Sequence, residues 1–204
     1  MLGLFDLAGV AVFAASGALV ASRREMDIVG FALLAAFTGI GGGTLRDLIL
    51  DRPVFWVQGE APLAVCMIIA VAVWFGAPFV QRRHAVLVWL DAAGLAAYGA
   101  LGAHIAVASG AGPVTALALG VMTATFGGLI RDVVAGERPL ILGEEIYATA
   151  ALFAAGLYVG ARMAGLGPEL AGPGAAAAGF ALRAGAILRG WKLPRYRPRP
   201  GRDV

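Results

Sequence analysis

Apolar residues run in long blocks along this chain, separated by short polar, charged or glycine- and proline-containing stretches. A helix needs about 20 mostly apolar residues to cross a bilayer. On that measure the pattern predicts seven spans, at about Leu2–Ala21, Ile28–Leu50, Ala61–Val80, Val86–Ala108, Val114–Ala135, Ile146–Leu166 and Ala171–Leu188. The seventh is the weakest, because it is short, rich in alanine and glycine, and interrupted by Arg183. Beyond it the chain reads RGWKLPRYRPRPGRDV, and its prolines and like charges predict a basic, disordered tail over residues 190–204.

Composition agrees with the pattern. Of the 204 residues 60% are hydrophobic and 14% charged, with a mean hydropathy of +0.82. Soluble domains average about 45–50% apolar and about 25% charged residues. The chain is read as an all-α integral membrane protein with no soluble domain. Its single cysteine, Cys66, has no partner for a disulfide or a metal site. The first span lacks a basic lead and a small-residue cleavage site, so it is expected to be retained. Arg23–Arg24 and Arg82–Arg83 fall in the first and third loops, and the fourth loop, ASGAGP, has no charge. Seven spans put the basic tail on the same side as those arginines, which predicts the N-terminus outside and the C-terminus in the cytoplasm. Trp56, Trp74, Trp89 and Trp191 lie near predicted span ends, as an aromatic belt would place them.

The chain repeats itself. FTGIGGGTLRDLILDRP at Phe37–Pro53 recurs as TATFGGLIRDVVAGERP at Thr123–Pro139. Thr38, Gly42, Gly43, Arg46 and Asp47 match Thr123, Gly127, Gly128, Arg131 and Asp132 at an offset of 85. Upstream, Asp6, Gly9 and Gly17 match Asp91, Gly94 and Gly102 at the same offset. The unit contains three spans, so the second copy enters the membrane from the opposite side. Residues 1–84 and 85–167 are thus read as inverted repeats, 168–189 as a seventh span and 190–204 as the tail.

Glycine inside a helix costs about 1 kcal/mol relative to alanine. Gly41, Gly42 and Gly43 are expected to break or bend the second span, and Gly127 and Gly128 the fifth. Interrupted spans at matching places in two inverted halves point to a binding or permeation site. Close helix packing is the other reading, and Gly39–Gly43 and Gly156–Gly160 both carry small residues four apart. Ionisable residues within spans tend to face water or a partner. Arg46–Asp47 and Arg131–Asp132 are read as pathway charges, each arginine bonding elsewhere and each aspartate left free; anchoring at the interface is the alternative. Asp6 and Asp91 begin the first and fourth spans, where the helix dipole stabilises a carboxylate, or they attract cations, or they pair with the arginines. Ser16, Thr38, Thr44, Tyr98, Thr123 and Thr125 are candidate lining groups, although serine and threonine also bond back to their own helix. GIGGGT lacks the lysine and the strand of a phosphate loop. Ser16 with His104 makes no hydrolase, since no base pair or oxyanion site accompanies them, and His104 is read as a packed helix residue.

Two copies of G-G-x-x-R-D on an inverted three-span repeat, followed by a seventh span, resemble the bacterial branch of the TRIC (trimeric intracellular cation) channels, a family also described as a glycine transporter domain family. The resemblance covers about residues 3–188. It implies a homotrimer in the bacterial inner membrane, with a pore inside each protomer formed where the second and fifth spans kink at Gly41–Gly43 and Gly127–Gly128. It implies permeation by potassium, with sodium as a second ion, contact with membrane lipids, voltage sensitivity, no cofactor, no nucleic-acid partner and no enzymatic activity. Phe126 stands where the second cluster's first glycine would be, which implies a tighter kink or a more hydrophobic constriction. The lipid-binding motif of the animal members is not recognisable here, so regulation by inositol lipids is not expected. One charge crossing the full field contributes about 2.3 kcal/mol per 100 mV, so Arg46 or Arg131 would confer only shallow voltage dependence. The alternative is a secondary transporter of a small zwitterion such as glycine, because inverted repeats also suit alternating access. A structural or assembly protein is the third class.

Overall fold

A computed structural model describes residues 2–80 and 83–194. Its α-helices are α1 (Leu2–Arg23), α2 (Ile28–Ile49), the single turn α3 (Phe55–Gln58), α4 (Ala61–Gly76), α5 (Arg83–Ala108), α6 (Pro113–Val134), α7 (Ala148–Met163) and α8 (Pro168–Arg189). Short 3-10 turns follow at Ala77–Phe79 and Leu140–Leu142. The all-α expectation holds. Among the described residues six helices are long and apolar enough to cross a bilayer, namely α1, α2, α4 with its 3-10 extension, α5, α6 and α8. The sixth predicted span contracts to α7, whose 16 residues rise only about 24 Å. The seventh grows to 22 residues. Arg183 does not interrupt it, because its guanidinium is met by Glu145 at 2.5 Å. Pro173 lies inside α8 near its start; the hydrogen bond it forfeits would have gone to a carbonyl of the first turn.

The repeat is visible in the way helices end. After α2, Leu50 N–H donates to the Arg46 carbonyl and Arg52 N–H to that of Asp47. After α6, Ala135 N–H and Glu137 N–H donate to Arg131 and Asp132 in the same way. Both endings turn through a left-handed residue, Asp51 (φ 51°) in the first copy and Gly136 (φ 65°) in the second. The loops after α1 and α5 pair likewise, Glu25 (φ 53°) with Gly110 (φ 83°). The first copy thus places acidic side chains where the second uses the residue that suits this backbone region best.

Packing follows the same symmetry. α1 lies against α5, and α2 against α6, so each helix of these pairs meets its own counterpart. α4 and α7 flank this centre, and α8 packs on α5 and α7. Only 22% of the α4 span is buried, and Ile68, Val71 and Phe75 are turned outward, so α4 presents an apolar outer face. Gly39 packs beside the Cys66 sulfur, as its spacing suggested; in the second small-residue pair Gly156 meets the end of the Leu117 side chain at 3.7 Å and Gly160 faces nothing within 4 Å.

Candidate functional site at the crossing of α2 and α6

Helical hydrogen bonding runs unbroken through Gly41–Gly43 and through Gly127–Gly128. Neither cluster interrupts its helix. What the glycines provide is proximity. A Cβ on Gly42 would run into the Thr123 carbonyl oxygen, and a Cβ on Gly127 into the Thr38 carbonyl oxygen. These two contacts are copies of one another across the repeat. Gly41 is looser, its nearest neighbour being the end of the Ile130 side chain at 3.1 Å. The Thr38 and Thr123 hydroxyls, both buried at this crossing, each donate 2.6 Å to a carbonyl four residues back, on Leu34 and Leu119. Thr44 and Thr125 bond backward too, to Ile40 and Val121. Thr44 also accepts from Trp56 Nε1 at 2.8 Å, which pins α3 onto α2.

One turn beyond each glycine cluster lie the charges, and all four are buried. They are not arranged as expected. Within each pair the arginine Nε donates 2.8 Å to the neighbouring aspartate Oδ1. The other aspartate oxygen accepts a main-chain N–H eight residues on, from Phe55 in the first copy and Leu140 in the second, at 3.0 Å each. Asp47 and Asp132 therefore tie the returning loops to the helix ends and are not left free. A buried carboxylate is tolerated only when paired and hydrogen-bonded, and these are both.

Beyond this shared core the halves differ. Arg131 Nη1 also donates to Asp91 Oδ1 at 2.6 Å and to the Ser16 hydroxyl. Asp91 sits in the third turn of α5, since that helix starts at Arg83, and the dipole account fails for it because that effect fades within one turn. Its pairing with an arginine is the reading that holds. Arg46 has no such second carboxylate. Its Nη1 has no partner among the described residues, and its guanidinium lies 5.8 Å over the Phe55 ring. Asp6 is held instead by the Tyr98 hydroxyl, 3.1 Å from Oδ1 and 3.2 Å from the Asp6 carbonyl oxygen. His104 is a packed residue, its Nδ1 2.5 Å from the Tyr158 hydroxyl and remote from Ser16 in role.

A family model described as glycine transporter matches residues 3–78 and 88–163, the two repeats. The UPF0126 inner membrane protein YadS of Escherichia coli is 43% identical over 152 residues, 72% of either chain. The fold is similar to a solved TRIC trimeric intracellular cation channel orthologue from Rhodobacter sphaeroides, with a TM-score of 0.90 and 50% identity over 93% of this chain and 98% of that one. A second solved prokaryotic TRIC channel shares 29% identity with a TM-score of 0.88, over 94% of this chain and 98% of that one. The chain belongs to the bacterial TRIC family.

In this TRIC chain three residues near the site were not singled out by sequence. Arg183 of α8 is buried, donates to Glu145 at 2.5 Å and to the Ile146 carbonyl at 3.3 Å, and stands 5.6 Å over the Tyr147 ring. The Tyr147 hydroxyl in turn reaches Gly128, where a Cβ would lie 2.9 Å from it, 3.5 Å from Arg131 Nη2 and 3.6 Å from Asp91 Oδ1. The C-terminal segment closes over the same loop: Leu193 N–H donates 2.7 Å to the Glu144 carbonyl, the Lys192 backbone pairs with that of Glu145 in an antiparallel bridge, and the Lys192 ammonium lies 3.6 Å from the Glu144 carboxylate. Residues 190–193 are thus bonded to the body of the protein, and the part of the tail over 195–204, read as disordered, lies outside the described residues. An arginine within an apolar span was the available signal for Arg183; Glu145 falls just outside the predicted sixth span, and Tyr147, inside it, precedes α7, which starts at Ala148.

Proposed function

We propose that the chain is a cation channel of the TRIC type, permeable to potassium, with one path in each protomer of a homotrimer in the bacterial inner membrane. Its N-terminus lies outside and its C-terminus in the cytoplasm, as the arginine-bearing loops favour. The observation that carries this reading is the α2–α6 crossing, a contact between two inverted copies with a buried arginine–aspartate pair beyond each side of it. Where a methyl group does not fit between α2 and α6, neither does an ion, so conduction requires the two helices to separate. Separation exposes the oxygens of Thr38, Thr123 and their acceptor carbonyls, which then replace part of a cation's hydration shell. The fixed arginines beyond the crossing repel cations, keeping binding weak enough for release, and Asp6, Asp47, Asp91 and Asp132 offset that repulsion. The likeness to the solved TRIC channels supports the same reading.

A secondary transporter of a small zwitterion is the second reading, favoured by the glycine transporter description of the matching repeats. Purified protein reconstituted into planar bilayers under a potassium–sodium gradient decides between them. Unitary currents reversing toward the potassium potential are expected. Saturable glycine exchange in liposomes, without unitary currents, would overturn the channel.

A further inference from the structure

The inverted repeat lets each half serve as the reference for the other. In the second half, Arg131 bridges two carboxylates, Asp132 on its own helix and Asp91 on α5. In the first half every equivalent charge is present, since Arg46, Asp47 and Asp6 match Arg131, Asp132 and Asp91 at the offset of 85. Yet among the described residues Arg46 pairs with Asp47 and with no other carboxylate, and its Nη1, on a residue 2% exposed, goes without a partner, as Arg131 Nη2 does in the other half.

One difference between the halves is a single oxygen. Tyr98 of α5 packs its ring on Gly9 of α1, beside Asp6; its counterpart at the offset of 85, Phe13 of α1, packs its ring on Gly94 of α5, one turn from Asp91. The two rings also touch each other, 5.4 Å between centroids. Phe13 has no hydroxyl, and Asp91 pairs with Arg131 while also facing the Tyr147 hydroxyl of the loop before α7. Tyr98 has one, and it takes Asp6. Asp6 and Arg46 act on one another electrostatically. A second difference, Leu101 where the other half has Ser16, removes a hydroxyl from Arg46's surroundings but does not explain where Asp6 goes.

We infer that Tyr98 is a positioning residue whose hydroxyl holds Asp6 away from Arg46, leaving the Arg46 half of the α2–α6 crossing the half that yields. The first clause stands on the geometry; the second rests on the channel reading above.

A double-mutant cycle tests the first clause without any current. Arg46→Gln and Asp6→Asn are combined in detergent-solubilised protein, in the wild-type and the Tyr98→Phe backgrounds, and thermal unfolding is followed. The expected result is additivity in the wild type and, with Tyr98→Phe, a stabilising coupling that moves Tm by about 2–4 °C for a chain of this size. Equal coupling in both backgrounds overturns the assignment. Should Arg46→Gln not fold, Arg46→Lys takes its place, because a lysine cannot bridge both carboxylates. In bilayers, Tyr98→Phe is expected to lower open probability about tenfold, the effect of one hydrogen bond to a charged group, and adding Asp6→Asn to restore it. An unchanged open probability alongside a measured coupling overturns the second clause. Absence of wild-type current counts against the channel reading, while the unfolding cycle still decides the role of Tyr98.

Discussion

Gly42→Ala separates two accounts of the glycine cluster. If these glycines serve to bend α2, Gly41→Ala and Gly42→Ala should do equal harm. The packing says otherwise. At Gly42 the added methyl meets the Thr123 carbonyl, with the carbonyl carbon at 3.0 Å and Cα at 3.4 Å behind it, and backbone cannot swing aside as a side chain can. Restoring a C···O contact of about 3.3 Å requires α2 and α6 to part by about 1 Å. Overpacking of this kind costs about 1–3 kcal/mol, and replacing a helical glycine returns about 1 kcal/mol, so the net loss reaches about 2 kcal/mol. At Gly41 the methyl meets only the Ile130 terminus at 3.1 Å, and the propensity gain stands nearly whole. The assay is thermal unfolding in detergent of both single variants and of Gly127→Ala, which should mimic Gly42→Ala because it meets the Thr38 carbonyl. Tm is expected to fall by about 4–8 °C for Gly42→Ala and Gly127→Ala, at about 2–4 °C per kcal/mol, and to hold or rise for Gly41→Ala. A wild-type Tm for Gly42→Ala, or an equal loss at Gly41, would refute the packing account.

Other outcomes follow from the polar contacts. Arg131→Gln should cost about 3–5 kcal/mol, because it strands Asp91 and Asp132 in the core, and Arg46→Gln clearly less, since it strands Asp47 alone; unfolding temperatures measure the order, and a larger loss for Arg46→Gln contradicts it. Arg183→Ala should be strongly destabilising and Glu145→Ala mild, by about 1 kcal/mol or less, because the arginine is buried while the glutamate is 47% exposed and solvated; equal losses would mean the pair acts as one closed unit. Glu25→Gly should hold or raise Tm, as the left-handed backbone costs a side chain about 1–2 kcal/mol and glycine nothing there, against an unfolded-state penalty of about 0.5–1 kcal/mol.

Hydropathy and self-similarity carried most of the fold. The spans, the inverted repeat and the matching places of Arg46, Asp47, Arg131 and Asp132 within it were legible, because apolar length and repeated charges are properties of the linear chain. What was not legible depended on partners distant in sequence. Asp47 and Asp132 looked free because the N–H groups of Phe55 and Leu140, which they accept, belong to loops without a motif. The glycines looked like breaks because helix propensity is local, whereas the carbonyls they approach lie on the other repeat. Arg183 looked like an interruption until Glu145, 38 residues earlier, came to meet it.

The pair of contacts Gly42–Thr123 and Gly127–Thr38 has the form of an isologous dimer interface, in which position i of one subunit touches j of the other and j touches i. Two separate half-length chains could make it only if one entered the membrane upside down relative to the other. Joining the halves in one polypeptide of an odd number of spans per copy guarantees that orientation at synthesis. It also fixes the stoichiometry at one upward and one downward copy. Freed from the need to be identical, the two copies can then diverge at single atoms, such as the hydroxyl that distinguishes Tyr98 from Phe13.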